Sequence, residues 1–189
     1  MAISASLLWR MTQIIPVNYR SDILPEYQDT PAGLLLEYHN LERALGSAAK
    51  PQLLIGMCMD ARKDLRMPKD FAFVLRTAGA NMRDNEFRMS YAFAVAGVNT
   101  LVLIAHTDCG MRRVATQHDA FVQGMVDTAG WDRERAEKHF KDSLPKFAID
   151  DEVGFVMREA ARLREMYPKI NVVPLLYRVE DDLLYQLRD

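Results

Sequence analysis

The chain has 189 residues, with 24 basic and 26 acidic side chains and a formal net charge of −2. Its length suits one domain, and its charge balance excludes a broad basic surface for nucleic acid or an acidic tail. With 49% apolar and 26% charged residues, it is a globular and not a disordered chain. Cys58 and Cys109 are its two cysteines, too few for a disulfide framework. They are one bridge, two buried apolar residues or two ligands.

No run of 18 apolar residues predicts a membrane span. Residues 1–17 lack the basic segment and small-residue cleavage site of a signal peptide. The expectation is a cytoplasmic protein with reduced thiols and with neither a nucleic-acid nor a membrane partner.

Residues 1–30 carry Pro16, Pro25 and scattered polar side chains, which reads as an arm with little regular structure. After Pro31, Leu34, Leu35, Tyr38, Leu41 and Leu45 predict a helix stopped by Gly46. The arm and helix (residues 1–50 of a single domain, 1–189) either pack on a partner subunit or cover a face of their own domain. Residues 53–57 form a short apolar run that fits a strand buried on both faces, and residues 71–75 read as a second one. Asp84 is placed to cap a helix whose Phe87, Tyr91, Ala94, Val95 and Val98 share a face, ending near Gly97. Residues 101–105 give the strongest buried-strand signal.

Residues 111–150 read as helical, polar and less regular. Within 131–142, four acidic and four basic residues describe a solvated helix face, and Glu134–Lys138 and Glu137–Lys141 fall at i, i+4. A longer helix over 151–167, with Val153, Val156, Met157, Ala160 and Leu163 on one side, is closed by Pro168. Residues 172–179 and 183–187 are the last predicted strands. This alternation implies an α/β fold with a mainly parallel central sheet of four to five strands flanked by helices. Such sheets place function beyond the carboxyl ends of their strands. Cys58 follows the first core strand and His106 the strongest, so both face one crevice if those strands are neighbours.

Two groups carry the chemistry: Cys58-Met59-Asp60-Ala61-Arg62 and His106-Thr107-Asp108-Cys109-Gly110. A lone His three residues before a Cys is a weak signal, and a buried Cys beside a satisfied His explains most such pairs. Here both cysteines of the chain fall at strand ends of one predicted sheet edge. Two thiolates and an imidazole suit zinc, and three protein ligands leave a fourth position for water. The bound water is then acidified toward neutrality, which yields a zinc-bound hydroxide. Asp60 either orients that hydroxide or coordinates the metal, while Arg62 holds the carboxylate ionised and away. The plainer alternative is a surface ion pair worth ~0–1 kcal/mol.

These groups resemble the Cys-x-Asp-x-Arg and His-x-x-Cys-Gly motifs of the β-class carbonic anhydrases. Arg76-Thr77-Ala78-Gly79 stands where that family has Arg-Asn-Ala-Gly, and Ser90 with Tyr91 lies in the intervening helix. The likeness is firm over residues 53–111, extends through the helix 151–167 and the closing strands, and is absent over 1–50. It implies reversible hydration of carbon dioxide to bicarbonate and a proton. It also implies one Zn2+ per chain on Cys58, His106 and Cys109, with Asp60 and Arg62 as the catalytic dyad and Gly79 and Gly110 beside the substrate. Asp60 as fourth ligand in a closed state, and a homodimer or higher homo-oligomer contacted by the N-terminal arm, are implied as well. Thr77 departs from the family Asn.

Three alternatives remain. Related proteins hydrolyse carbonyl sulfide or carbon disulfide on the same motif. A catalytically silent zinc-binding member has no need of the Asp60–Arg62 pair. A redox protein pairing Cys58 with Cys109 leaves His106 without a role. His118 is a conceivable proton shuttle, although a lone His in a polar helix is commonly just solvated; His39 and His139 are weaker candidates.

Overall fold

The computed structural model describes residues 12–188. Its sheet has six strands in the order β1-β6-β5-β4-β2-β3: β1 (Gln13–Ile15), β2 (Leu53–Cys58), β3 (Ala72–Thr77), β4 (Thr100–His106), β5 (Asn171–Arg178) and β6 (Leu183–Arg188). The four strands β3, β2, β4 and β5 run parallel, and β6 and β1 add antiparallel pairs at the side away from β3. The sequence reading gives five of the six. The sixth, β1, comes from the stretch read as an irregular arm and pairs Ile14 with Leu187. The first eleven residues of that arm lie outside the described residues.

The helices are α1 (Pro31–Asn40), α2 (Glu86–Ala94), α3 (His118–Ala129), α4 (Arg133–Phe147) and α5 (Glu152–Met166). One face of the sheet is covered by Val17, Ile23, Leu24, Leu35 and Leu36, packed with Ile55, Met57, Val102 and Ile104. Residues 17–36 therefore close their own chain's core. The other face carries Met89 and Ala92 of α2 and Val156, Met157, Ala160 and Leu163 of α5 against Leu54, Leu101 and Leu103. β2 and β4 are buried along their whole length, as their continuous apolar runs require.

Four local expectations are corrected. Helix α1 ends at Asn40 and not at Gly46, because Asn40 bonds the main chain of Leu184 in both directions and Glu42 turns left-handed. Strand β3 is an edge strand with Phe73 and Val74 exposed, so it is not buried on both faces. Helix α2 starts after Asn85 and stops at Ala94, and its buried side is Met89 and Ala92. Phe87, Tyr91 and Val95, expected inside, are exposed. On α4, Lys138 pairs with Asp142 at 2.6 Å, and neither expected Glu–Lys pair forms. Asp151 caps α5 by accepting from Gly154 N–H.

Candidate metal centre and active site

The register that sets β2 beside β4 brings Met57 level with Ile104. The last residues of the two strands, Cys58 and His106, therefore reach the same crevice at the carboxyl edge. Cys109 enters three residues later, where the chain leaves β4. The ligand atoms of Cys58, His106 and Cys109 lie within 4.8 Å of one another, and all three residues are buried. Both cysteines are free thiols.

Each donor is oriented by a neighbour. His106 Nδ1 donates to the Thr107 carbonyl at 2.9 Å, which leaves the Nε2 lone pair for a metal. Nε2 is buried and has no hydrogen-bond partner. An orphaned imidazole nitrogen facing two thiols fits a metal ligand, since unsatisfied buried polar atoms are otherwise rare. Cys58 Sγ accepts from Gly79 N–H at 3.3 Å, and Gly79 reaches that position with φ +65°, a left-handed conformation native to glycine. Cys109 N–H donates to Glu152 Oε1 at 3.1 Å. Glu152 is buried at the first turn of α5 and also meets Arg112 at 3.4 Å.

The thiols titrate as a pair. Cys58 is pulled well below its ordinary value, chiefly by the hydrogen bond from Cys109, against the upward push of burial. Cys109 is pushed up by that same hydrogen bond and by burial. A metal binds these sulfurs as thiolates, so its uptake releases whatever protons they still hold. Two sulfurs and one nitrogen form a donor set that zinc takes.

Asp60 and Arg62 sit on the turn after β2. The Asp60 carboxylate accepts from Arg62 N–H at 3.0 Å, Nε at 3.1 Å and Nη2 at 2.7 Å. Asp60 Oδ2 stands 3.9 Å from His106 Nε2, beside the metal position but turned to the guanidinium. Hydrogen bonds from Arg62 hold the Asp60 carboxyl well below the usual carboxylate range. Arg62 is anchored in turn by Asp108, through Oδ2 and the carbonyl at 3.0 Å each, and Arg113 meets the same carboxylate at 2.8 Å. This four-residue chain of charges exceeds an isolated surface pair, because its geometry is multidentate.

Gly79 and Gly110 both border the centre, but differently. The N–H of Gly79 is committed to Cys58 Sγ, whereas Gly110 is exposed and opens the turn after Cys109. Thr77 ends β3 opposite Cys58, and its buried hydroxyl has no partner. Ser90 Oγ bonds within α2, to the Phe87 carbonyl.

The other histidines are placed elsewhere. His39 accepts from Arg66 N–H at Nδ1 and donates from Nε2 to the Asp182 carbonyl, so it is a structural tie, and burial lowers its pKa. His118 bonds Asp119 and stacks edge-on against Phe140. His139 stacks with Trp131 and lines an apolar cavity of about 410 Å3 together with Ala78, Met111, Phe121, Phe140 and Phe147. Met111 also packs on the Cys58–Cys109–Ile149 cluster, so this cavity backs onto the metal centre.

Sequence reasoning missed Glu152, Asp108 and Lys63. Glu152 lies 43 residues from Cys109, and no spacing rule joins an acidic first turn to a distant ligand. Asp108 was inside a quoted motif, but only the fold aims it at Arg62. Lys63 carries no motif or spacing signal, and it is 2% exposed.

No family model matches the chain. A curated relative, the carbon disulfide hydrolase of Acidianus sp. (strain A1-3), is 29% identical over 142 residues. The alignment covers 71% of this chain, which spans 65% of that protein's length. Among solved structures, β-carbonic anhydrase isoform I of Trichomonas vaginalis superposes with a TM-score of 0.60 at 19% identity, over 76% of this chain and 87% of the other. Carbonic anhydrase from Glaciozyma antarctica gives 0.57 at 24% identity, over 72% and 83%. The chain has the fold of the β-class carbonic anhydrases. On that fold it carries a Cys58–His106–Cys109 cluster positioned for a metal, and the donor set is one that zinc takes. No helix of the described residues is long and apolar enough to cross a membrane.

Proposed function

We propose that the protein is a zinc-dependent carbonic anhydrase, which reversibly hydrates carbon dioxide to bicarbonate and a proton. The observation that carries this reading is the pairing of an open Cys2His donor set with an Asp60 carboxylate held beside it by Arg62. A silent zinc module has no use for that carboxylate. A dithiol redox pair has none for the orphaned His106 nitrogen.

Cys58, His106 and Cys109 hold the ion. Bound zinc supplies Lewis acidity that makes water nucleophilic near neutral pH. Asp60, kept ionised by Arg62, accepts a hydrogen bond from the attacking water and sets its direction. The buried cluster of Cys58, Cys109 and Ile149 with Met111 excludes bulk water on the thiol side, and Gly79 N–H steadies the Cys58 sulfur. Gly79 and Gly110 border the space left for substrate. The proton leaves to solvent past half-buried Asp60 and the exposed Arg62. His118, tied to Asp119 and Phe140, is the one histidine retained as a candidate relay.

A second reading is favoured by two observations. The curated relative is a carbon disulfide hydrolase, and an apolar cavity of about 410 Å3 backs onto the centre. Carbon disulfide and carbonyl sulfide carry the same electrophilic carbon between two electronegative atoms. They are larger and less polar than carbon dioxide, which suits an apolar approach. Stopped-flow carbon dioxide hydration across pH, beside hydrolysis of carbonyl sulfide and carbon disulfide by the same zinc-loaded protein, decides between them. Sulfide release without carbon dioxide hydration overturns the first reading. Activity on none of the three overturns both.

The reading also includes a homodimer or larger homo-oligomer of a single domain, and a cytoplasmic setting where the two free thiols stay reduced.

A further inference from the structure

Lys63 is a buried cation that the proposed chemistry does not use. It is 2% exposed, and among the described residues its ammonium makes no ion pair; its one hydrogen bond is to the Asp60 carbonyl, at 3.0 Å. Lysines are almost never fully buried without a charge partner, because desolvating the ammonium is costly. Burial accordingly lowers its pKa. A buried donor spent on one carbonyl points to that carbonyl.

The Asp60 carbonyl is in fact held twice. Arg76 Nη1 reaches it at 3.4 Å, and Arg76 Nη2 donates to the Lys63 carbonyl at 3.1 Å. Met59 N–H, one residue earlier, is fixed to the Thr77 carbonyl at 2.8 Å. The main chain on both sides of Asp60 is therefore pinned to strand β3. The carboxylate end is held by Arg62 alone, with Oδ2 3.9 Å from His106 Nε2. The carboxylate thus stands close to the metal ligands while its own main chain is fixed from the β3 side.

We infer that Lys63 is a positioning residue: by holding the Asp60 carbonyl it keeps the Asp60 carboxylate on Arg62 and off the fourth metal position. The inference rests on the metal-centre reading and adds a determinant of whether that centre is open. Its reach is through the Asp60 main chain, so Lys63 touches neither substrate nor metal.

Cobalt(II) substitution with azide titration tests it without any turnover assay, because azide enters the cobalt sphere only where the fourth position is free. Lys63→Met is expected to take up cobalt, to change its visible spectrum and to weaken azide binding at least tenfold. Lys63→Gln keeps an N–H donor and should fall between Lys63→Met and wild type; it also carries the test if Lys63→Met does not fold. In an Asp60→Asn background, where the competing carboxylate is gone, Lys63→Met should no longer affect azide. Azide binding by either folded single variant equal to wild type overturns the inference, and so does a weakening that persists in the Asp60→Asn background. Wild-type protein that takes up no cobalt overturns the metal reading and this inference together. Wild-type protein that binds cobalt and azide but acts on no substrate removes the proposed activity and leaves Lys63 to be judged by the spectra.

Discussion

Asp60 and Glu152 are carboxylates beside the metal cluster, and they do different work. Asp60 is ionised and aimed by Arg62, whereas Glu152 receives a ligand's main-chain N–H. Asp60→Asn keeps the shape and loses the acceptor charge. It should retain zinc by metal analysis and lower carbon dioxide hydration by about 100-fold or more, the scale of a lost acid–base group. Glu152→Ala leaves the Cys109 N–H buried and unsatisfied, at a cost of about 1–3 kcal/mol. Urea unfolding of the metal-free protein should show that loss, and Glu152→Gln, whose amide oxygen still accepts, should recover most of it. The Asp60–Arg62 pairing was legible because Asp60 lies two residues from Cys58 and two from its arginine. Glu152 was not, since its relation to Cys109 exists only once α5 has docked.

Strands were easier to read than helix faces, for a physical reason. A strand buried on both sides must be apolar throughout, so β2 and β4 could be placed to within a residue. Helix α2 has apolar residues on two sides, and periodicity does not say which side the sheet takes; Met89 and Ala92 were chosen over Phe87, Tyr91 and Val95. The β5–β6 hairpin offers a test at this scale. Its buried Tyr177 donates to Asp182 Oδ1 at 3.0 Å. Burial first, and then this hydrogen bond and the Asp182 charge, push the phenol up to about 12. An unfolded tyrosine titrates near 10, so the folded state holds the proton more tightly. The resulting stability is full below about pH 10 and is lost as pH rises through about 12. A shift of this size corresponds to roughly 2–3 kcal/mol. Denaturation midpoints measured from pH 9 to pH 12 should fall for wild type, with a shallower fall for Tyr177→Phe. Equal slopes would assign the alkaline loss to other groups.

The whole molecule shows an asymmetry that bears on assembly. One side of the sheet ends in β6 and β1, short antiparallel strands finished by the amino-terminal stretch. The other ends in β3, whose outer edge is unpaired and whose Phe73 and Val74 are exposed. Helix α2 adds Phe87, Tyr91 and Val95, with Phe87 81% exposed. A monomer seldom leaves an apolar edge strand and an apolar helix side uncovered, since both invite association. The net charge of −2 gives little long-range repulsion against a second copy. Residues 1–50 were expected either to pack on a partner subunit or to cover a face of their own domain, and residues 17–36 pack in the chain's own core. The exposed apolar residues therefore make α2 and β3 the better site for self-association. Light scattering on the eluting protein should give a mass at a multiple of 21.6 kDa. The double substitution Phe87→Glu and Val95→Glu places two like charges on that face and touches no core residue. It should lower the mass toward a single chain while thermal unfolding still shows a cooperative transition. An unchanged multiple would move the interface off α2, and a wild-type monomer would remove the oligomer altogether.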